Sequence, residues 1–113
     1  MTQLCDRKCK PCGGSVKALN EREVENFTYL LQNWTLSRAD VNFIFRIYKM
    51  KNFSECVNLI NQIAEIAERE GHHPNLHLEN YNELSVEIFT HSIKGLSEND
   101  FILAAKIDQL DQE

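Results

Sequence analysis

The 113 residues fit one domain and leave little room for a second. Hydrophobic residues make up 42% of the chain and charged residues 26%, which indicates a folded globular protein and excludes a disordered one. The net charge of −5 argues against binding to nucleic acid or to an anionic membrane, because both require clustered Lys and Arg. No apolar run approaches the roughly 20 residues of a membrane span. The first residues also lack the apolar core of a signal peptide, so we expect a cytoplasmic protein.

The N-terminal part of the chain is predicted to form an arm separate from the folded domain. Residues 1–18 are polar, contain Pro11, Gly13 and Gly14, and show neither a helical nor a strand period. We therefore expect a flexible, cysteine-containing arm over residues 1–18 and a single domain over residues 19–113.

The first half of the domain is predicted to contain one helix and two strands. Asn20 with Glu23 resembles a capping box, and the apolar spacing that follows predicts a helix over residues 21–32. Aromatic and β-branched residues then alternate, which indicates strands over residues 34–37 and 42–50, joined by a hairpin turn.

The second half is predicted to begin and end with a helix. Apolar residues at helical spacing indicate a helix over residues 53–70, with Gly71 as its C-terminal cap. Two further strands follow over residues 76–81 and 84–91, with their turn at Asn82-Glu83. The last helix begins after Ser97, which is placed as its N-cap.

The predicted element order is therefore α-β-β-α-β-β-α. Hairpins connected through helices indicate an α+β domain, with a four-stranded antiparallel sheet and three helices packed on one of its faces. An exposed edge strand of such a sheet would be covered naturally by pairing with another subunit.

The histidines are the main candidates for chemistry. His72 and His73 lie in a bend between Gly71 and Pro74, because Gly ends helices and Pro cannot continue them. His91 lies at the end of a predicted strand. Because the imidazole pKa is ordinarily about 6.5, such a cluster can both donate and accept protons near neutral pH. This arrangement could provide an acid and a base without a metal.

These residues also resemble a known family signature. An acidic residue four places before a His-His-Pro, an aromatic residue, a later His and a final Asp are similar in type and spacing to pterin-4a-carbinolamine dehydratases. The resemblance covers roughly residues 19–110. The residues that carry it are Glu68, His72, His73, Pro74, Tyr81, His91 and Asp100.

The resemblance implies a site built from three histidines. His72 and His91 would share the acid and base roles, and His73 would chiefly orient the pterin. The remaining implied residues would contact the substrate or support the histidines; they are Glu68, Pro74, Thr90, Ser92 and Asp100.

The implied reaction is the removal of water from a 4a-hydroxytetrahydropterin to give the quinonoid dihydropterin, during recycling of a tetrahydropterin such as tetrahydrobiopterin. The resemblance also implies a homodimer or homotetramer that needs no metal or other cofactor. Gly71 stands where some members carry an acid, and Asn99 where some carry a basic residue. These two departures bear on rate and substrate preference more than on the type of reaction.

Two other functions stay open from the residues alone. The chain could be a non-enzymatic dimerisation or protein-binding module. Alternatively, it could be a small metal-binding protein, since Cys9 and Cys12 form a C-x-x-C, which is half of a typical zinc site, and Cys5 lies nearby.

Several residues have a simple structural interpretation. His77 is predicted to face solvent on a strand. Glu68 could belong to a solvated helix face, and Asp100 could act only as a charge at a helix N-terminus. Other residues are predicted to pack in the core or against the sheet, Cys56 as an inert thiol; they are Trp34, Phe43, Phe45, Cys56 and Tyr81.

Overall fold

The computed structural model describes residues 4–9 and 16–112, with side chains as far as Leu110. The predicted element order is confirmed, and the fold is α+β with three α-helices and a four-stranded antiparallel sheet. The helices and strands, in chain order, are α1 (Glu21–Leu30), β1 (Thr35–Ser37), β2 (Phe43–Lys49), α2 (Phe53–Glu70), β3 (Asn75–Glu79), β4 (Glu83–Ile88) and α3 (Glu98–Asp108). Short 3-10 helices lie at Leu4–Asp6, His91–Ile93 and Gln109–Gln112.

The sheet has the strand order β1-β2-β4-β3, so β2 and β4 are the central strands and their pairing joins the two hairpins. Because side chains alternate along a strand, one face of β4 carries apolar residues only. These side chains are inaccessible to solvent; they are Leu84, Val86 and Ile88. Ile44 of β2 lies opposite Ile88 on the same face and is equally buried. This face of the sheet therefore forms the floor of the core.

Helix α3 is the most deeply buried helix of the fold. Its consecutive residues from Asn99 to Ala105 are all buried, which is unusual for a surface helix. The ring of Phe101 stacks on Phe27 of α1 with centroids 5.2 Å apart. At the other end of α3, Asp108 accepts a hydrogen bond from Trp34 Nε1 at 2.9 Å. In the described part of the chain, no helix is long and apolar enough to cross a membrane.

The three predicted helix caps are present. Asn20 and Glu23 form a capping box at the start of α1, and Ser97 begins α3 with a second box. Gly71 ends α2 in the left-handed conformation, with φ 68° and ψ 27°, and its N–H donates to Ala67 O at 2.9 Å. The cap residues therefore correctly marked where these helices begin or end.

Two strand boundaries, the ends of β3 and β4, differ from the prediction by two residues or more. The strand expected over residues 84–91 ends at Ile88, because Thr90 pairs instead with Gly95 across a tight loop. The turn between β3 and β4 lies at Asn80 and Tyr81, both at positive φ, and not at Asn82-Glu83. Two successive left-handed residues match the right-handed twist of a hairpin, and Asn adopts this conformation readily.

The aromatic residues divide between the two faces of the sheet. Trp34 is buried, as predicted, whereas Tyr81 is 64% exposed in the turn, so its predicted packing role is wrong. Phe43 and Phe45 are half-buried on the sheet face opposite the helices, with ring centroids 6.0 Å apart. Ile47 lies on the same face and is exposed.

The left-handed cap at Gly71 can be tested by substitution. Alanine at this position would meet no atom within 4 Å, so Gly71→Ala costs only the backbone strain, about 1 kcal/mol of unfolding free energy. Gly95→Ala is the matched control, because Gly95 is not at positive φ. Its new Cβ would lie 3.8 Å from Ile93 O, which is an ordinary van der Waals contact. Urea unfolding should separate the two variants; equal losses would contradict the assigned strain.

The buried thiol of Cys56 gives a second test. Burial raises the pKa of this thiol, and the neighbouring Glu55 carboxylate raises the pKa further. Because only the thiolate reacts, iodoacetamide should modify Cys56 at least about tenfold more slowly than the half-buried Cys5 and Cys9. Timed alkylation followed by peptide mass spectrometry measures the rates, and urea should abolish the difference. Native rates that are already equal would show that Cys56 is accessible.

Candidate active site

A buried carboxylate joins three parts of the chain. Asp100, in the first turn of α3, has no solvent exposure. Its Oδ1 atom lies 2.6 Å from His72 Nε2. Its Oδ2 atom accepts hydrogen bonds from Thr90 Oγ1 at 2.9 Å and from the Ser97 backbone N–H at 2.8 Å. The hydroxyl oxygens of Thr90 and Ser97 are themselves 2.8 Å apart. We call these four residues the Asp100 network.

The end of α2 places two adjacent histidines in different surroundings. After Gly71 turns the chain, the His72 N–H donates to Ala67 O at 3.2 Å, and the imidazole is 5% exposed. The His73 side chain is 59% exposed, with Nε2 2.5 Å from Glu68 Oε2. His72 therefore points into the protein and His73 toward solvent. Of the two imidazoles, it is His73 that Glu68 contacts.

His91 is displayed on a tight loop. Thr90 N donates to Gly95 O at 2.8 Å, and Gly95 N donates back to Thr90 O at 3.3 Å. The loop between them starts with the 3-10 helix His91–Ile93. The exposed His91 ring lies against the Phe89 ring, with centroids 4.3 Å apart. Since Thr90 also donates to Asp100, the same carboxylate holds His72 directly and supports the loop that carries His91.

The other predicted site residues lie around this network. Pro74 is half-buried directly before β3, and Ser92 is exposed beside His91. Thr90 is buried and its hydroxyl is bonded within the network, which makes it a supporting residue. His77 is half exposed and lies 3.4 Å from Glu87 on the neighbouring strand, outside the network, in accordance with its structural interpretation.

The network limits what each group can do chemically. An ionised carboxylate is only an acceptor, so His72 Nε2 is the donor in its contact with Asp100. The carboxylate then also stabilises the imidazolium that forms. An imidazole that is oriented in this way can act as a base in general acid and base catalysis.

Two residues at or near the site, Ser97 and Glu70, were not predicted from the sequence to belong to it. Ser97 was recognised only as a helix cap, yet its hydroxyl contacts Thr90; the Ser-x-x-Asp capping box was the signal that joins it to Asp100. Glu70 was not singled out as a site candidate, but its side chain is only 6% exposed. Its partner Cys9 lies 61 positions away, so no local pattern could have indicated the contact.

Comparison with known proteins shows one family. Residues 17–110 match the family model described as pterin 4 alpha carbinolamine dehydratase. A Rickettsia canadensis protein provisionally named as this dehydratase is 45% identical over 109 residues, covering 96% of this chain and 97% of that protein. The Arabidopsis thaliana protein named pterin-4-alpha-carbinolamine dehydratase 2, mitochondrial, is 39% identical over 115 residues, covering 100% of this chain and 62% of that protein.

A solved structure has the same fold. The crystal structure described as a transcriptional coactivator/pterin dehydratase from Brucella melitensis aligns with a TM-score of 0.76 at 31% identity. The alignment covers 83% of this chain and 98% of that one. The whole Asp100 network lies within the matched residues 17–110. The chain therefore belongs to the pterin-4a-carbinolamine dehydratase family and is, as its sequence predicts, an enzyme of the hydro-lyase class.

Proposed function

We propose that the chain dehydrates a 4a-hydroxytetrahydropterin by acid and base catalysis with His72 and His91. The observation that carries the proposal is the 2.6 Å contact between His72 and the buried Asp100. That carboxylate also supports, through Thr90, the loop that presents His91. The buried contact orients one imidazole, and the loop exposes the other to a bound substrate. Family membership supplies the substrate class.

The proposed reaction divides the proton transfers between the two imidazoles. The imidazole of His72 accepts a proton from a ring N–H of the pterin, while His91 donates one to the departing 4a-hydroxyl. The C–O bond breaks, a carbon–nitrogen double bond forms, and water leaves, so the products are water and the quinonoid dihydropterin. The two histidines together neither gain nor lose protons. Asp100 stabilises the positive charge that develops on His72.

The other residues are proposed to position the pterin. His73 is exposed and held by Glu68, which fixes the orientation of its ring for contact with the substrate. Ser92 lies beside His91 on the same loop and is exposed, so its hydroxyl can reach a ligand there. Pro74 fixes the backbone after the two adjacent histidines.

The proposed reaction requires neither a metal nor another cofactor. Among the described residues, no group of three or more His, Cys, Asp or Glu side chains could hold a metal ion. The C-x-x-C hypothesis involves Cys12, which lies outside the described residues, so a metal in the arm stays an open alternative. The dehydration itself consists only of proton transfers and loss of water, for which imidazoles suffice.

The oligomeric state of the chain, its cellular location and its pathway are also proposals. β1 and β3 are the edge strands of the sheet, and pairing of such an edge with a second copy would give the expected homodimer or homotetramer. A cytoplasmic location and a role in tetrahydropterin recycling stay predictions from the sequence. The predicted division into a flexible arm over residues 1–18 and a domain over residues 19–113 is retained as a proposal only in its boundary, because residues 4–9 of the arm contact α3 through Cys5 and Cys9. Residues 1–3 and 10–15 lie outside the described part.

Loss of either catalytic imidazole should slow the reaction by about 100-fold or more, because each supplies a proton transfer in the transition state. His72→Ala and His91→Ala are compared with wild type by following 4a-carbinolamine loss through ultraviolet absorbance. His77→Ala is the matched control, since this histidine lies outside the network. EDTA should leave the wild-type rate unchanged. A folded wild-type protein that gives no acceleration would contradict the proposed function, and metal content and binding partners would be examined next.

Asp100→Asn keeps the side-chain shape but removes the charge that orients His72. We expect kcat to fall about tenfold or more, with about 1–3 kcal/mol of lost unfolding free energy from weakened buried hydrogen bonds. Asp108→Asn on the same helix is the control: it weakens the contacts of Asp108 with Trp34 and Arg46 and should reduce stability with little change in kcat. Equal losses of kcat in the two variants would show that Asp100 acts only through stability.

A further inference from the structure

Glu70, the last residue of α2, has a buried carboxylate outside the Asp100 network. Its Oε1 atom accepts a hydrogen bond from the Cys9 backbone N–H at 2.9 Å. Its Oε2 atom lies 3.7 Å from Lys106 Nζ of α3 and 3.8 Å from Arg69 Nε. A carboxylate that is only 6% exposed is costly to bury unless such partners compensate it. Glu70 is therefore a fixed anchor at the end of α2.

Residues 4–9, which we call the docked segment, run along α3 and bind it at both ends. Lys106 Nζ, toward the C-terminal end of the helix, donates to Cys5 O at 2.8 Å. Near the helix start, Cys9 Sγ donates to Asn99 O at 3.6 Å. Leu4 and Cys5 pack partly buried against the core.

A further ion pair joins Arg7 to Glu98, the first residue of α3. Both of its side chains are partly exposed, so this pair adds little to the stability of the docking. The contacts of Cys9 and Lys106, which are less exposed, hold the docked segment in place.

Cys9 is the residue that links the docked segment to the active site. Its N–H binds Glu70, two positions before His72, and its Sγ binds the carbonyl of Asn99, one position before Asp100. One residue thus spans the two backbone segments that carry the partners of the 2.6 Å contact. An increase in the distance between those two backbone segments would lengthen the contact between His72 and Asp100.

We propose that Cys9 and Glu70 are positioning residues, which hold the end of α2 and the start of α3 at the separation that the His72–Asp100 contact requires. The inference rests on the proposed function only in assigning catalysis to His72. The docked segment lies outside residues 17–110, the part of the chain that matches the family model. Groups that orient a catalytic side chain act on the rate through its geometry, without touching the substrate.

The experiment measures how fast a ring proton of His72 exchanges with solvent. In protein labelled with ¹⁵N-histidine, NMR gives the solvent-exchange rate of the Nε2 proton that His72 donates to Asp100, without any substrate. The variants are Glu70→Ala and Cys9→Ala, with Cys9→Ser as the conservative variant, because a hydroxyl can still donate to Asn99 O. Glu65→Ala is the matched control, since Glu65 is an exposed glutamate on the same helix.

We expect the exchange rate to rise about tenfold in Glu70→Ala and in Cys9→Ala, which corresponds to losing one buried hydrogen bond that supports the contact. In the same variants kcat should fall about three- to tenfold while KM changes less than about twofold, because transition-state positioning is lost and not substrate binding. Cys9→Ser should restore both quantities, and Glu65→Ala should change neither.

Unchanged ring-proton exchange in folded Glu70→Ala and Cys9→Ala would overturn the inference. If Glu70→Ala does not fold, Cys9→Ala alone decides, because it leaves the buried carboxylate and its backbone donor in place. Failure of Cys9→Ser to restore the exchange rate would refute the role of the Sγ contact. A wild-type protein without dehydratase activity would refute the proposed function, while the exchange measurement would still test the positioning.

Discussion

The buried carboxylate of Asp100 is the interaction on which the site depends. Removing a charge from water is costly, and here the cost is offset by donors from His72, Thr90 and the Ser97 backbone. Its position in the first turn of α3 adds the favourable field of a helix N-terminus. A group that begins a helix therefore also fixes an imidazole and a loop. The start of α3 and the site therefore share the same carboxylate.

Much of this architecture could be predicted from the sequence because its determinants are local. The caps at Asn20, Gly71 and Ser97 are satisfied by atoms within a few residues, and the apolar period of α2 gave its bounds, Phe53–Glu70. The family signature contains both His72 and Asp100, which the structure brings into contact. Periodicity alone could not have paired these two residues, since they are 28 positions apart.

The features that were not predicted depend on contacts distant in sequence. β4 stops at Ile88 because Thr90 is engaged by Gly95 and Asp100, and an alternating pattern cannot show where such competition begins. The burial of Glu70 depends on a backbone N–H near the start of the chain. Tyr81 resembled a packing residue by type, but the hairpin turn places it at positive φ and exposes it. In each case tertiary structure overrides the local preference.

The deep burial of α3 has a consequence for how the site moves. Segments within the core open only when much of the protein unfolds, whereas exposed loops open at little cost in free energy. His72 and Asp100 belong to the first class, and His91 and His73 to the second. The site therefore combines buried residues, which open rarely, with exposed residues, which move readily. Under the proposed function, substrate can enter and product can leave by motion of the exposed residues while His72 keeps its contact with Asp100.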